Sequence, residues 1–371
     1  MKKFIHNTLL TATLLLLTVV SCQKMVEFDI DEIPSQLVLN GLPSDGNRMF
    51  VNFSYSRFFL DTNTGRSASD FSMRLDVIRQ SGTTSYSYDS VSRCNYFFPY
   101  TPVAGDSLNI NIKVGENTLS AGTKIPKPLQ TDNFQTINTW EVGSSSGAFD
   151  TVLNLCIIGL ELTDDPNDDN FYYIHIDERD SGSRFNEFKK DFDTIDTIYH
   201  NVMFMCQSPT LTSPDALLSS PLLVLPQGYT VYDHIICNDK QMNGSKRSIG
   251  VILPILVDTN EVFDETHVFK HDYIFHIESI RPERVRYLLD VATATSMTSM
   301  FAEPAGTYSN VIINGMQGLG LFSGISHQKF PFSIDPWPYP ENLNKHSIRC
   351  ECPELIPFLR QAHNLKYQQY R

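Results

Sequence analysis

The chain is short of positive charge. Its 29 Lys and Arg face 42 Asp and Glu, for a net charge of −13 across 371 residues. Phosphate backbones are bound by clustered Lys and Arg, so this balance argues against a nucleic-acid partner. It also argues against electrostatic docking on anionic lipid. Beyond the N-terminus there is no apolar run near the roughly 20 residues that span a bilayer. No Gly-Lys-Ser/Thr closes a phosphate loop, and no pair of cysteines stands at zinc-finger spacing. No period of 20 to 50 residues marks a solenoid or propeller. With 41% hydrophobic residues, the chain nevertheless has the apolar content to bury real cores.

What is present begins with an export signal. Lys2 and Lys3 precede an apolar stretch, Leu9 to Val20, followed by Ser21-Cys22. Charge, apolar core and small residues before a cut form the layout of a secretory leader, here residues 1–21. A small residue before a cysteine is similar to a bacterial lipobox, in which that thiol takes a diacylglycerol and becomes residue one. Cys22 is therefore the expected lipidation site, and several acyl chains would anchor the chain firmly. Loss of Lys2 and Lys3 with the leader would take the net charge to −15. Residues 22–35, with Glu27, Asp29, Asp31 and Glu32, read as the lipidated tether.

Cys22 aside, six cysteines remain, at 94, 156, 206, 237, 350 and 352. In an exported protein they permit disulfides, and six allow fifteen pairings. Cys156 and Cys237 sit among aliphatic residues and read as buried strand thiols. Cys350 and Cys352 are the better placed for oxidation.

The body of the chain reads as mainly β. Leu108, Ile110 and Ile112 alternate with Asn109, Asn111 and Lys113, the period of a half-buried strand. Strands at this spacing over residues 36–128 predict an N-terminal sandwich of immunoglobulin-like or transthyretin-like type. Pro126 and Pro128 break the ladder, which places a boundary there. A larger β-rich domain is expected over residues 129–371, with one or two short helices. One helix starts near Pro282, with Ser279 as its cap and Val285, Leu288, Leu289 and Ala292 on one face. The other lies in "PELIPFLRQAH". Two segments, "NFYYIHIDE" and "HDYIFHIESI", share a pattern around His175 and His276.

Motifs that carry chemistry are weak. Ser145 in "GSSSG" has the spacing of a nucleophile elbow but not its strand-then-helix context. Asp165, Asn167 and Asp169 alternate like calcium ligands, yet Asn170 stands where a loop needs glycine and Ile176 where it needs glutamate. His267 and His271 are four apart without the glutamate of a zinc protease. "GMQGLG", with Gly315, Gly318 and Gly320, reverses the order of a dinucleotide loop and precedes a strand. It reads as a hairpin. No catalytic residue, metal site or cofactor is expected. Asp-Ser/Thr-aliphatic triplets offer Ser90, Thr151, Thr194 and Thr197 as O-glycosylation acceptors.

The stretch "YLL…FAEPAGTYSNVIINGMQGLGLFSG" resembles a signature of a domain-of-unknown-function family, the 4249 family, of Bacteroidota outer-membrane lipoproteins. The matching residues are Glu303, Pro304, Ser309, Asn310, Val311, Asn314, Gly315, Gly320 and Phe322. "LVLNGL" and "DDPNDDNFYYIHI" extend the likeness over most of the chain. The resemblance implies an outer-membrane location exposed at the cell surface. It also implies a TonB-dependent receptor as partner, a role in nutrient uptake, and no catalytic residues. The expectation is thus a non-catalytic accessory or ligand-binding lipoprotein, with an exported glycan or peptide hydrolase as the alternative.

Overall fold

A computed structural model describes residues 35–56, 70–145, 148–166, 170–186, 191–206, 208–224, 230–242, 244–258, 270–295 and 308–334. The molecule is mainly β, as the alternating patterns predict, and its sheets are built from antiparallel pairs. Residues 1–34, with the expected leader, Cys22 and all but the last residue of the expected tether, lie outside the described residues, as do His267, Glu303, Pro304, Cys350, Cys352 and the terminal "PELIPFLRQAH".

The first sandwich begins with β1 (Leu37–Asn40), β2 (Phe50–Tyr55), β3 (Phe71–Arg79) and β4 (Gly82–Ser87). It continues with β5 (Ser90–Ser92), β6 (Asn95–Phe97), β7 (Ser107–Val114) and β8 (Asn117–Lys124). β1, β2, β6 and β5 form one sheet, while β8, β7, β3 and β4 lie in the other. Strand alternation sends Leu108, Ile110 and Ile112 inward, where they meet Leu39, Val51 and Phe53 of the facing sheet. At one end Asp106 accepts hydrogen bonds from the Arg79 guanidinium, the Tyr100 hydroxyl and the Val103 amide. Those donors outweigh burial and hold its carboxyl below the usual range.

The second sandwich is built from longer strands: β9 (Gln130–Ser145), β10 (Ala148–Thr163), β11 (Phe171–Asn186) and β12 (Asp191–Tyr199). Then come β13 (Phe204–Cys206), α1 (Pro209–Thr212), β14 (Leu223–Val224), β15 (Thr230–Tyr232), β16 (His234–Asn238), β17 (Lys246–Asp258) and β18 (Lys270–Ile280). One sheet runs β14-β15-β13-β17-β10-β9 and the other β12-β11-β18-β21, where β21 is Ile325–Ser333, with β16 also on β11. Cys156, Ile158, Val251 and Phe204 of the first meet Ile174, Ile176, Phe275 and Ile277 of the second. Burial raises the Cys156 and Cys206 thiols to about 11, so neither presents a reactive thiolate at neutral pH. Cys94, Cys156, Cys206 and Cys237 are free.

Helix α2 (Pro282–Thr295) starts where Pro282 predicts, because proline tolerates the first helical turn. Ser279 is not its cap. It remains in β18, 2% exposed and opposite Tyr172 and Ser326, since the strand runs on to Ile280. Val285, Leu288 and Leu289 pack on Ile236 and Ile280 as expected, whereas Ala292 is exposed.

The chain then returns to the first sandwich. β19 (Ile312–Ile313) pairs with β8 and with β20 (Met316–Gln317), and β21 (Ile325–Ser333) joins the second sandwich beside β18. The sheet of a first domain ending at residue 128 is thus completed from a segment far along the chain. The hairpin read in "GMQGLG" is present, but its turn is Asn314-Gly315, both at positive φ (50° and 82°). That is the requirement of a type I′ turn. The rest of the glycine run lies along β1 through parallel bridges Val38–Leu319 and Gly41–Phe322. At Gly320 a Cβ would stand 1.9 Å from the Leu39 carbonyl oxygen, and φ is +113°, so the site admits only glycine. Asn310 completes the closure, accepting from the Phe322 amide (2.9 Å) and donating to the Phe322 carbonyl (2.7 Å). Phe322 itself is fully buried, a contribution of about 1.5–3 kcal/mol. The motif residues Asn310, Val311, Asn314, Gly315, Gly320 and Phe322 therefore serve the backbone and core.

Candidate functional site

Successive residues of a strand face opposite sides of the sheet, and β11 uses both sides for chemistry. Tyr172, Ile174 and Ile176 point into the core, and Glu178 and Asp180 follow on that same face. Tyr173, His175 and Asp177 occupy the outer face. Strand β18 behaves likewise, with His271, Tyr273 and Phe275 inward and His276 and Glu278 outward.

On the inner face, His271 Nδ1 lies 2.8 Å from Asp180 and 3.1 Å from Glu178, and the Tyr273 hydroxyl donates to Glu178 at 3.1 Å. Both carboxylates are buried. Burial opposes charging of His271, but hydrogen bonds and attraction from Asp180 and Glu178 win and raise it to about 9. At neutral pH this is an imidazolium held between two carboxylates.

On the outer face, antiparallel register sets His175 directly opposite His276 on one side and His234 on the other. The His175 and His276 rings stack with centroids 4.4 Å apart and planes 5° from parallel. The next ring is His327 of β21, whose Nε2 is 2.7 Å from His276 Nδ1. Asp177 completes the group, with its oxygens 3.4 Å from His276 Nε2 and 3.9 Å from His175 Nε2. The carboxylate is fixed from outside by His200 Nδ1 (2.9 Å) and the Asn201 amide (3.2 Å).

Charge on this face is unevenly matched. Burial pushes the Glu278 carboxyl up, and Arg284, reaching from α2 to 2.7 Å, is its counter-ion. Burial first, then the neighbouring His276, lower His175 to about 3. Burial and the same neighbour lower His327 to about 4. For Asp177 burial acts upward, but the nearby His276 ring and the bonds from His200 and the Asn201 amide hold it well below the usual carboxylate range. The Asp177 carboxylate thus faces His276 and the neutral His175. His175 Nδ1 and His276 Nε2 are both buried with no hydrogen-bond partner.

In each trio (His175, Asp177, His276 and Glu178, Asp180, His271) the donor atoms lie within 4.8 Å of one another. Sequence reading left both without a role. Its one usable signal was the shared pattern of "NFYYIHIDE" and "HDYIFHIESI", which are the two strands that pair.

The other sequence candidates fall elsewhere. Ser145 pairs with Ala148 at the end of the β9–β10 hairpin, which is not a strand-to-helix elbow. Asp164 is buried and accepts from the Tyr172 hydroxyl and Asn170 Nδ2, while Asp165 meets Lys127. Residues 167–169 of that acidic run lie outside the described residues. Ser90 and Thr194 are exposed, Thr197 is half-buried, and Thr151 lies in β10.

Comparison with known proteins assigns the fold to a family. The model for a domain of unknown function, DUF4249, matches residues 23–330. The chain belongs to that family. No curated protein matches it. Among solved structures, similarity is recorded to the B domain of a biofilm-associated protein, with 8% identity over 79% of this chain and 85% of that one, at a TM-score of 0.13. The BSP domain of a biofilm-associated protein matches at 8% identity over 80% of this chain and 58% of that one, also at 0.13. Scores this low carry no structural argument.

Proposed function

We propose that this DUF4249 protein is a non-catalytic accessory or ligand-binding lipoprotein. It is held at the outer-membrane surface by lipid on Cys22 and works with a TonB-dependent transporter. The observation that carries the reading is the junction at Cys22. The expected export leader ends at Ser21, and the family match begins at residue 23, one position after Cys22. The acidic balance supports a partner other than nucleic acid or anionic lipid. Among the described residues no helix is long and apolar enough to cross a membrane, so the attachment proposed is the lipid alone.

The test is Cys22→Ala in the native host. The variant is expected to lose labelling by a fatty-acid probe and to leave the membrane fraction. Retention of both in the variant defeats the anchor. Cross-linking on intact cells is expected to capture a TonB-dependent receptor with the wild type and not with the released variant.

A further inference from the structure

We propose that His175, Asp177 and His276 form a binding site for a divalent first-row transition metal of the zinc class. His327 would orient His276 from behind. The inference stands on the outer face of β11 and β18 and is independent of how the chain is anchored.

The spacing is the first argument. Zinc binds imidazole nitrogen and carboxylate oxygen at about 2.0–2.2 Å, so the edge of its tetrahedron is about 3.3 Å. Asp177 and His276 Nε2 are already 3.4 Å apart, and His175 Nε2 is 3.9 Å from the same carboxylate. All three donors lie within 4.8 Å of one another, so closure needs the widest pair to approach by at most about 1.5 Å, shared between two side chains.

Protonation is the second. Metal ligands must offer lone pairs, and here two imidazoles are stacked face to face beside a carboxylate. The His276 side chain is 6% exposed, and its Nε2 points toward Asp177 without a hydrogen bond. Its other nitrogen is engaged, 2.7 Å from His327 Nε2. With the proton of that bond on His276 Nδ1, the Nε2 lone pair faces the site. This is the outer-shell arrangement that fixes tautomer and orientation in histidine metal sites. Asp177 is likewise held from outside by His200 and Asn201.

Charge is the third. Arg284 answers Glu278, so Asp177 is the carboxylate left facing the imidazoles. A divalent cation would sit against that carboxylate, on the side away from His200. The inner trio differs, because His271 Nδ1 already sits at hydrogen-bond distance from both of its carboxylates and its own charge fills that role. Two nitrogens among three ligands point to zinc-class ions over calcium, which takes six to eight oxygens. Three protein ligands leave a fourth position for water or a bound group. Asp177 is 14% exposed, and the His200 side chain that contacts it is 71% exposed.

The experiment uses the full chain without a histidine tag, stripped with chelator and titrated with zinc chloride against a chromophoric competitor. Bound metal is counted by mass spectrometry, and cobalt substitution reports coordination by its visible spectrum. One equivalent is expected. Asp177→Asn, which keeps the carboxylate's shape, and His276→Gln should each weaken zinc at least 100-fold. His327→Gln should weaken it about 10-fold, as outer-shell partners do. Circular dichroism melts of the stripped proteins show whether each variant is folded, and Asp177→Asn decides if His276→Gln is not. Absence of stoichiometric uptake by the wild type overturns the proposal. So does wild-type affinity in both folded variants, or a loss seen with Glu178→Gln instead, which would put the ion on the inner face.

Discussion

The two faces of the β11–β18 pair carry the same ingredients and arrive at opposite electrostatic states. Inside, one histidine meets two carboxylates and is charged. Outside, His175, His276 and His327 stack beside Asp177, and His175 and His327 are neutral. Proportion and geometry together separate them, because a ring nitrogen at hydrogen-bond distance from two carboxylates is driven to bind a proton, whereas buried stacked rings repel one. The inner trio acts as a structural ion cluster, and the outer one keeps its lone pairs available.

The comparison breaks most sharply if one inner carboxylate is removed. Asp180 is fully buried, so Asp180→Ala leaves a partly buried imidazolium facing Glu178 without its second carboxylate. Loss of one partner from a buried ion pair costs about 3–5 kcal/mol. Urea unfolding of the full chain is expected to show a loss of that order. A loss below 1 kcal/mol would mean that the trio contributes little to the fold.

Acidity separates the faces by sign. His271 is raised from 6.5 to about 9 in the fold. Its contribution is complete below about pH 6.5 and disappears as pH rises through 9, a change of about 3 kcal/mol. His175 and His327 are lowered to about 3 and about 4, so the unfolded chain binds protons that the fold refuses. Their contribution is present above about pH 6.5 and is lost as pH falls toward 4. Melting temperature should therefore fall on both sides. His271→Gln should flatten the alkaline limb and His175→Gln the acid limb. If the two variants flatten the same limb, the charge states assigned to the faces are wrong.

Much of this architecture was legible in sequence, and the site was not. Alternation at Leu108–Lys113 is a local signal, as is Pro282 at a helix start. Asn314-Gly315 is local too, although the later glycines of "GMQGLG" mask it. Gly320 could be read as backbone-serving, but not that its neighbour would be Leu39. The same limit hid the histidines. Periodicity says that His175 and Asp177 share a face of a strand. It cannot say that antiparallel register puts His276 opposite, or that β21 returns to bring His327 alongside. Ser279 failed as a cap because β18 outruns its local pattern, held by pairing with Tyr172 and Ser326 on either side.

A metal sharpens the comparison further. A ligand that binds only the folded state stabilises by mass action, about 2.7 kcal/mol at 100 times its dissociation constant. Zinc at that excess should raise the melting temperature of the wild type and of Glu178→Gln alike. It should leave Asp177→Asn unmoved. Equal shifts in all three would assign the stabilisation to scattered surface sites.

The smallest effect is the most diagnostic. In metal-free protein, Asp177→Asn replaces a carboxylate that takes bonds from His200 and the Asn201 amide and meets His276 and His175 on its other side without a hydrogen bond. Asparagine keeps the shape and an acceptor oxygen, and His200 is largely exposed, so little is lost there. The expected cost is about 1 kcal/mol or less, the range of one ordinary hydrogen bond. Set beside the loss from Asp180→Ala, that makes the outer carboxylate nearly dispensable to the fold. A stability loss as large as the inner one, measured by the same urea titration, would make Asp177 a structural ion and remove the reason to assign it to a ligand.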